Sequence, residues 1–417
     1  MSPPASRAPR HPTVEVLSYP PVRYFYAAQL CSTLGFSLLN ATIAWHIWKA
    51  TGSYALLGTL GLVEFLPVIP LSLLGGAIAD SADRRLIVVR ALGASAVLAG
   101  ILLWSARSGY REQAVILAVA FLLAVSGTFQ RPAYSALLPS LVPTRLFPTA
   151  TVVNANVRNL SLVSGPVLMG FVTRAAGIPS AYAVCVGLLL LAALALGRVA
   201  SEAPVGRRVP VTWGFVREGI AFVRSRPVLL SSMVLDMFAV IFAGATALLP
   251  VYADQILGVG ELGYGLLSAS MQVGTLAAAA VLLVLPPMLH PGRWLLGSVV
   301  VFGISTVIFG ISRTFALSLF AFVIAGVADQ VSMTARSIIL QLSTPDALRG
   351  RVSSVGMIFI GASNELGAAE SGFLASLTSA TFSVVFGGAA CLAVVAGTAA
   401  GVPSLRAYRV PAVPSSR

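Results

Sequence analysis

Gly75-Gly76-Ala77-Ile78-Ala79-Asp80-Ser81-Ala82-Asp83-Arg84-Arg85 separates two apolar runs, 54–74 and 86–105. Each run is about 20 residues, the length that crosses a bilayer as a helix. The charged stretch therefore reads as a tight loop between two membrane spans. Its glycines allow the backbone to turn closely. Asp80 falls where one helix ends and two arginines follow it, which places the loop on the cytoplasmic side.

The rest of the chain agrees. Hydrophobic residues make up 57% and charged residues 10%, and the mean hydropathy is +0.90. These values exclude an ordinary soluble domain. The net charge of +13 is nearly all arginine, Lys49 being the only lysine. It is spread over short loops, so topology accounts for it and nucleic acid is not expected as a partner. Cys31, Cys185 and Cys391 lie far apart in apolar runs, and His11, His46 and His290 are equally scattered. No metal, redox, Walker or nucleophile–His pattern is present. The chain is not read as an enzyme, and no cofactor or metal is expected.

Outward from the opening loop, twelve spans are predicted. They cover 23–48, 54–79, 86–105, 112–130, 150–173, 180–199, 228–252, 263–285, 293–311, 315–337, 352–377 and 382–402. Span 4 is predicted to end at Arg131-Pro132, and half-apolar loops are predicted at 133–149 and 338–350. Residues 1–22 read as a disordered cytoplasmic tail rather than a cleaved leader. The predicted units are a six-helix bundle at 23–199, a cytoplasmic linker at 200–227, a second six-helix bundle at 228–402 and a cytoplasmic tail at 403–417. Within the linker, Trp213, Val216, Ile220 and Val223 recur at helical spacing beside arginines, the pattern of an interfacial helix on an anionic leaflet.

Orientation follows from the basic residues. With both termini inside, only Lys49, Arg107, Arg111, Arg174 and Arg313 fall outside, and Arg158 lies within span 5; the remaining arginines are cytoplasmic. The arginine and alanine bias is that of a GC-rich bacterial genome. A multi-pass protein of a bacterial cell membrane is expected, acting as a monomer.

The halves also repeat. Pro143, Gly165 and Gly170 recur as Pro345, Gly367 and Gly372 at one constant offset. Duplicated bundles of this kind serve alternating access in transporters. The second half lacks a good copy of the opening loop; Leu289-His290-Pro291-Gly292-Arg293 stands there without the acid.

The opening loop resembles the motif Gly-x-Leu-Ala-Asp-Arg-x-Gly-Arg-Arg/Lys of the major facilitator superfamily of transporters. Gly76, Ala79, Asp80, Arg84 and Arg85 match, whereas Ser81 stands in place of Arg and Asp83 in place of Gly. The acid at the latter position is similar to the drug:proton antiporter branch that includes macrolide-efflux and enterobactin-export proteins. Residues 131–139, 217–227 and 345–352 resemble loops of that branch. Ser164-Gly165-Pro166-Val167-Leu168-Met169-Gly170 resembles the superfamily's antiporter motif, with Ser161 replacing an upstream Gly and Gly170 one position late. The resemblance implies an all-α fold of two pseudo-symmetric six-helix bundles. In it, spans 1, 4, 7 and 10 line a cavity, spans 2, 5, 8 and 11 meet across the halves, and the others lie outside. It also implies that Gly76, Asp80, Arg84 and Arg85 form a cytoplasmic conformational latch.

Ionisable groups within spans are costly, roughly 2.5 to 3.5 kcal/mol at mid-bilayer, and usually face a cavity or partner. Those here are Glu64, Arg158, Asp236, Asp329, Glu365 and Glu370, all on spans the resemblance makes inner ones. A carboxylate in apolar surroundings takes up a proton more readily than one in water. Glu365, Asp236, Asp329, Glu64 and Glu370 are thus candidate proton sites, with Glu365 preferred. Asp329 and Arg336 lie seven apart on one helical face and suit an ion pair. Glu365 and Glu370 are about 140° apart around a helix and cannot face one point. Arg158 suits pairing with a carboxylate, or an anionic substrate group. Gln29 and Asn40 are polar groups on span 1 that need a partner. The expected function is proton-coupled export of small amphipathic or hydrophobic compounds, as in drug efflux. The alternatives are a dedicated exporter of a siderophore or other natural product, and a non-transporting scaffold. Small molecules, protons and the lipid bilayer are the expected partners.

Overall fold

The computed structural model describes residues 12–67, 71, 83–109, 112–199 and 213–410. Among them the structure is helical throughout, and nine helices are long and apolar enough to cross a membrane. The chain begins with α1 (Pro12–Ser18) and α2 (Pro20–Thr51, span 1), followed by α3 (Tyr54–Phe65) in span 2. Next come α4 (Arg84–Arg107), α5 (Gln113–Ser135) and the long α6 (Phe147–Gly197). The linker holds α7 (Trp213–Ser225). The second half holds α8 (Pro227–Phe242), α9 (Gly260–Val284), α10 (Pro291–Ile311), α11 (Phe315–Ser343), α12 (Asp346–Leu377), α13 (Ala380–Gly401) and α14 (Pro403–Arg406).

Several expectations are corrected. Part of the N-terminal tail is ordered: α1 buries Val16, and Arg145 pairs with Glu15 through both guanidinium nitrogens. That hydrogen-bonded carboxylate holds the Arg145 guanidinium above its ordinary range. Pro20 and Pro21 then open α2, where a missing N–H is harmless. Pro132 does not end span 4. It lies inside α5, since one lost backbone bond near the end of a membrane helix is readily accommodated. Spans 5 and 6 are the two arms of α6, which meet at Gly177 with φ 78° and ψ 172°, a conformation suited to glycine. The expected loop at 338–350 is largely helical, because α11 runs on to Ser343 and α12 begins at Asp346. The C-terminal tail is docked as far as Val410, whose N–H donates to the Leu289 carbonyl.

The linker helix α7 forms as the spacing predicts, but its apolar face meets protein as well as any surface. Val223 packs with Met233, Val352 and Val355, and Glu218 pairs with Arg351 at 2.9 Å.

The duplicated glycines find matching partners in the two halves. A Cβ on Gly165 would lie 2.5 Å from Ser37 Cβ in α2, and one on Gly367 would lie 2.7 Å from the Val240 carbonyl oxygen in α8. Each thus seats a helix against the first long helix of its own half. A Cβ on Gly170 would lie 2.7 Å from the Glu261 carbonyl oxygen, and one on Gly372 would lie 2.4 Å from Gly58 N. These two let the halves touch backbone to backbone, as small residues do in membranes. The broadest contacts between halves are α3 on α12 and α6 on α9.

Candidate functional site

Both of those crossings lie at the end of the bundle remote from the termini. There the halves are also joined by side chains. Asp254 accepts hydrogen bonds from Trp48 Nε1 at 2.9 Å and Lys49 Nζ at 3.1 Å. Tyr54 donates to Gln255 Oε1 at 3.2 Å, and its ring stacks on Trp48. One layer deeper, Trp45 stacks on Tyr264 with ring centroids 5.3 Å apart. Asp254 and Gln255 belong to a single π-helical turn, Tyr252–Ile256. Sequence reasoning noted Lys49 as one of few basic residues on that side but did not find its partner, because residues some 200 positions apart carry no spacing signal.

Span 7 is broken. The helix α8 stops at Phe242, and the chain continues through Gly244 and a short 3-10 turn, Ala245–Leu248. The Gly244 carbonyl accepts from Ser371 Oγ at 3.2 Å. The break opens a cavity of about 90 Å³ bordered by Gly244, Thr246, Thr306, Asp329 and Asn364. Asp329 lies half-way along the 29-residue α11. A cavity of this size holds several waters and is far below the roughly 300 Å³ that a drug-sized ligand needs. Val240, Met271, Phe302 and Phe322 also line it, so a carboxylate half-way along a membrane helix borders a small and mostly apolar cavity.

The other expected residues are distributed as follows. Gly76 and Asp80 lie outside the described residues. Arg84 opens α4, Asp83 caps it by accepting from Arg85 N at 2.9 Å, and Arg85 donates to the Gly197 carbonyl at the end of α6. Arg85 thus ties two helices of the same half. Arg336 pairs with Asp236 and not with Asp329. Seven residues along a helix are about 10 Å, beyond the reach of an ion pair. Both partners are nearly buried, with side chains 11% and 9% exposed.

Arg158 is exposed and, among the described residues, has no ion pair, so the expected carboxylate partner is not found there. Asn40 is likewise exposed, and Gln29 donates to Thr33 Oγ1 at 2.8 Å. Glu64 and Glu365 are half-buried on either side of the α3–α12 crossing, where a Cβ on Gly61 would lie 2.9 Å from the Glu365 carbonyl oxygen. Glu370 is half-buried beside Ser371, whose hydroxyl donates to it at 3.5 Å. The Pro166 carbonyl lies against Gly265 in the α6–α9 crossing.

The sequence profile of the transmembrane secretion effector family matches residues 14–413. The chain belongs to this family, within the major facilitator superfamily. It is also similar to the staphyloferrin A transporter of Staphylococcus aureus (strain NCTC 8325 / PS 47), 22% identical over 349 residues that cover 81% of this chain and 85% of that one. Among solved structures, the POT family transporter PepTSo superposes with a TM-score of 0.72 at 12% identity, covering 93% of this chain and 98% of that one. The nucleoside transporter NupG superposes at 0.70 and 11%, covering 93% and 98%. A bacterial homologue of the human lysosomal transporter Spinster, in an inward-facing and unoccupied conformation, superposes at 0.67 and 12%, covering 96% and 97%. The fold is thus that of the superfamily, and the protein is a multi-pass membrane transporter of a small molecule. Its relatives are transporters rather than enzymes.

Proposed function

We propose that this protein is a proton-coupled exporter that moves a natural product of the siderophore kind out of the cell by alternating access. The observation that carries this reading is the cavity at the break in span 7, where Asp329 borders a space large enough for several waters. Discontinuous helices at mid-membrane are where transporters place ion and substrate sites. Export is supported by the family's description and cargo by the staphyloferrin A transporter's similarity. Asp329 replaces Glu365 as the preferred proton carrier, because Asp236 is already neutralised by Arg336 and Glu365 lies at a helix crossing. Arg158 and Asn40, polar and exposed on inner spans, are suited to an anionic, oxygen-rich cargo. Asp80, Arg84 and Arg85 retain the latch role, with the termini cytoplasmic and the bundle closed at its outer end.

Broad drug efflux is the second reading. Phe238 stacks on Phe242 at 6.0 Å and is 37% exposed, a surface that suits aromatic compounds.

The test is transport in inverted vesicles under an imposed pH gradient, with a carboxylate siderophore and a dye panel as cargo. Wild type is expected to accumulate the siderophore only while the gradient lasts. Asp329→Asn is expected to lose gradient-driven accumulation and keep gradient-independent exchange. Uptake that ignores the gradient in wild type would refute proton coupling, and dye movement without siderophore movement would select the efflux reading.

A further inference from the structure

The second half's counterpart to the opening loop leads into α10 with Arg293 and no acid, and transport as described leaves it without a task. The structure puts that arginine at the mouth of an open groove of about 490 Å³ between α10 and α13. The groove walls are Leu296, Val300, Leu392 and Ala399, and Gly297 leaves its floor open, with nothing within 4 Å of where its Cβ would be.

A second arginine, Arg406 of α14, borders the same groove. Its position is built rather than incidental. Leu405 is fully buried, Tyr408 Oη bonds Ser343 Oγ at 2.9 Å, and a Cβ on Gly292 would lie 1.8 Å from the Leu405 carbonyl oxygen. Only glycine at 292 allows the C-terminal segment to lie this close to the start of α10. Among the described residues neither arginine has an ion pair or a hydrogen bond from its side chain, and no acid borders the groove. On the same helix, with Trp294 in its first turn, Trp294 is 47% exposed and Ile304 45%. An aromatic ring at the end of an apolar outer face marks the membrane interface.

We infer that this groove binds an anionic phospholipid, with an acyl chain between α10 and α13 and the headgroup phosphate between Arg293 and Arg406. Two guanidiniums with no partner among the described residues supply the charge complementarity, and the apolar walls supply the chain site. The inference rests on membrane residence alone, so it stands or falls apart from the transport reading.

The experiment is native mass spectrometry of the full-length protein released from detergent, with phosphatidylglycerol or phosphatidylcholine of identical chains added. Wild type is expected to retain phosphatidylglycerol preferentially. Arginines near a membrane surface each contribute about five-fold to anionic lipid binding, so R293A/R406A is expected to lower retention about thirty-fold. Gly297→Leu fills the groove with both arginines left in place and is expected to lower retention of either lipid. It keeps the test open if the arginine variant unfolds. Equal retention of the two lipids by wild type, or unchanged phosphatidylglycerol retention in either folded variant, would overturn the site.

Discussion

In the first half, Gly165 meets Ser37 within the half and Gly170 meets Glu261 across the interface; in the second, Gly367 meets Val240 and Gly372 meets Gly58 in the same two ways. The charges show no such symmetry. The second half holds the buried Asp236–Arg336 pair, the Asp329 cavity and a broken span 7, whereas α6 in the first half carries two exposed arginines, Arg158 and Arg174, with no ion pair among the described residues. Backbone packing is duplicated and chemistry is not. Two rigid bodies that rock against each other need matched contact surfaces at both crossings. Under the proposed proton coupling, one carboxylate suffices, in whichever body keeps it beside a cavity and away from a fixed cation.

The strongest way to break this comparison is to unbalance the buried pair. Asp236→Ala leaves Arg336 buried without a partner and is expected to cost about 3–5 kcal/mol of stability, read from unfolding in detergent. The double variant D236L/R336L is expected to recover most of that. A cost below about 1 kcal/mol for the single change, the size of an exposed pair, would mean that the second half's charge is solvated and not special.

The glycine crossings come next. Gly372→Leu and Gly170→Leu place a side chain against opposing backbone, at a cost of about 1–3 kcal/mol for overpacking. The cost falls on the end where the halves meet, so a population shift of about 5–150-fold toward a form open at that end is expected. Labelling of a cysteine introduced below Trp45 would report it. Similar shifts for both variants would confirm that the crossings are equivalent, and a shift for one alone would show that the halves close unequally.

The smallest effect is expected at the Lys49–Asp254 pair between the halves. Lys49 and Asp254 are 43% and 27% exposed, so Asp254→Asn is expected to change the closed-state equilibrium by only about 0.2–1 kcal/mol. That change is expected to shrink further at high salt. A larger effect would assign Trp48 and its bond to Asp254 a share in closure that the charge pair does not explain.

The glycine repeat was legible before any coordinates because an offset between identical residues survives in a linear string. The buried acids of the inner spans were legible because charge is rare in an apolar run. The partners of those acids were not. Asp329 and Arg336 share a helical face, yet Arg336 reaches across to Asp236, since neighbouring helices come closer than two turns of one helix. The break at Gly244 was missed because Gly and Pro are common in membrane helices, so neither Gly244 nor Pro250 distinguishes a break from a kink.

The sequence by itself determined the membrane class, the apolar character of the helices and the glycine repeat, because hydropathy and periodicity are local properties that the bilayer selects directly; twelve spans were expected, and nine helices among the described residues are long and apolar enough to cross. It also determined which residues are charged where charge is costly. Only the tertiary structure decided which acid is neutralised, which acid borders a cavity, and where Trp48, Lys49 and Tyr54 join the second half. Each of those depends on distances between helices far apart in the chain, and those distances are set by where glycines let backbones touch.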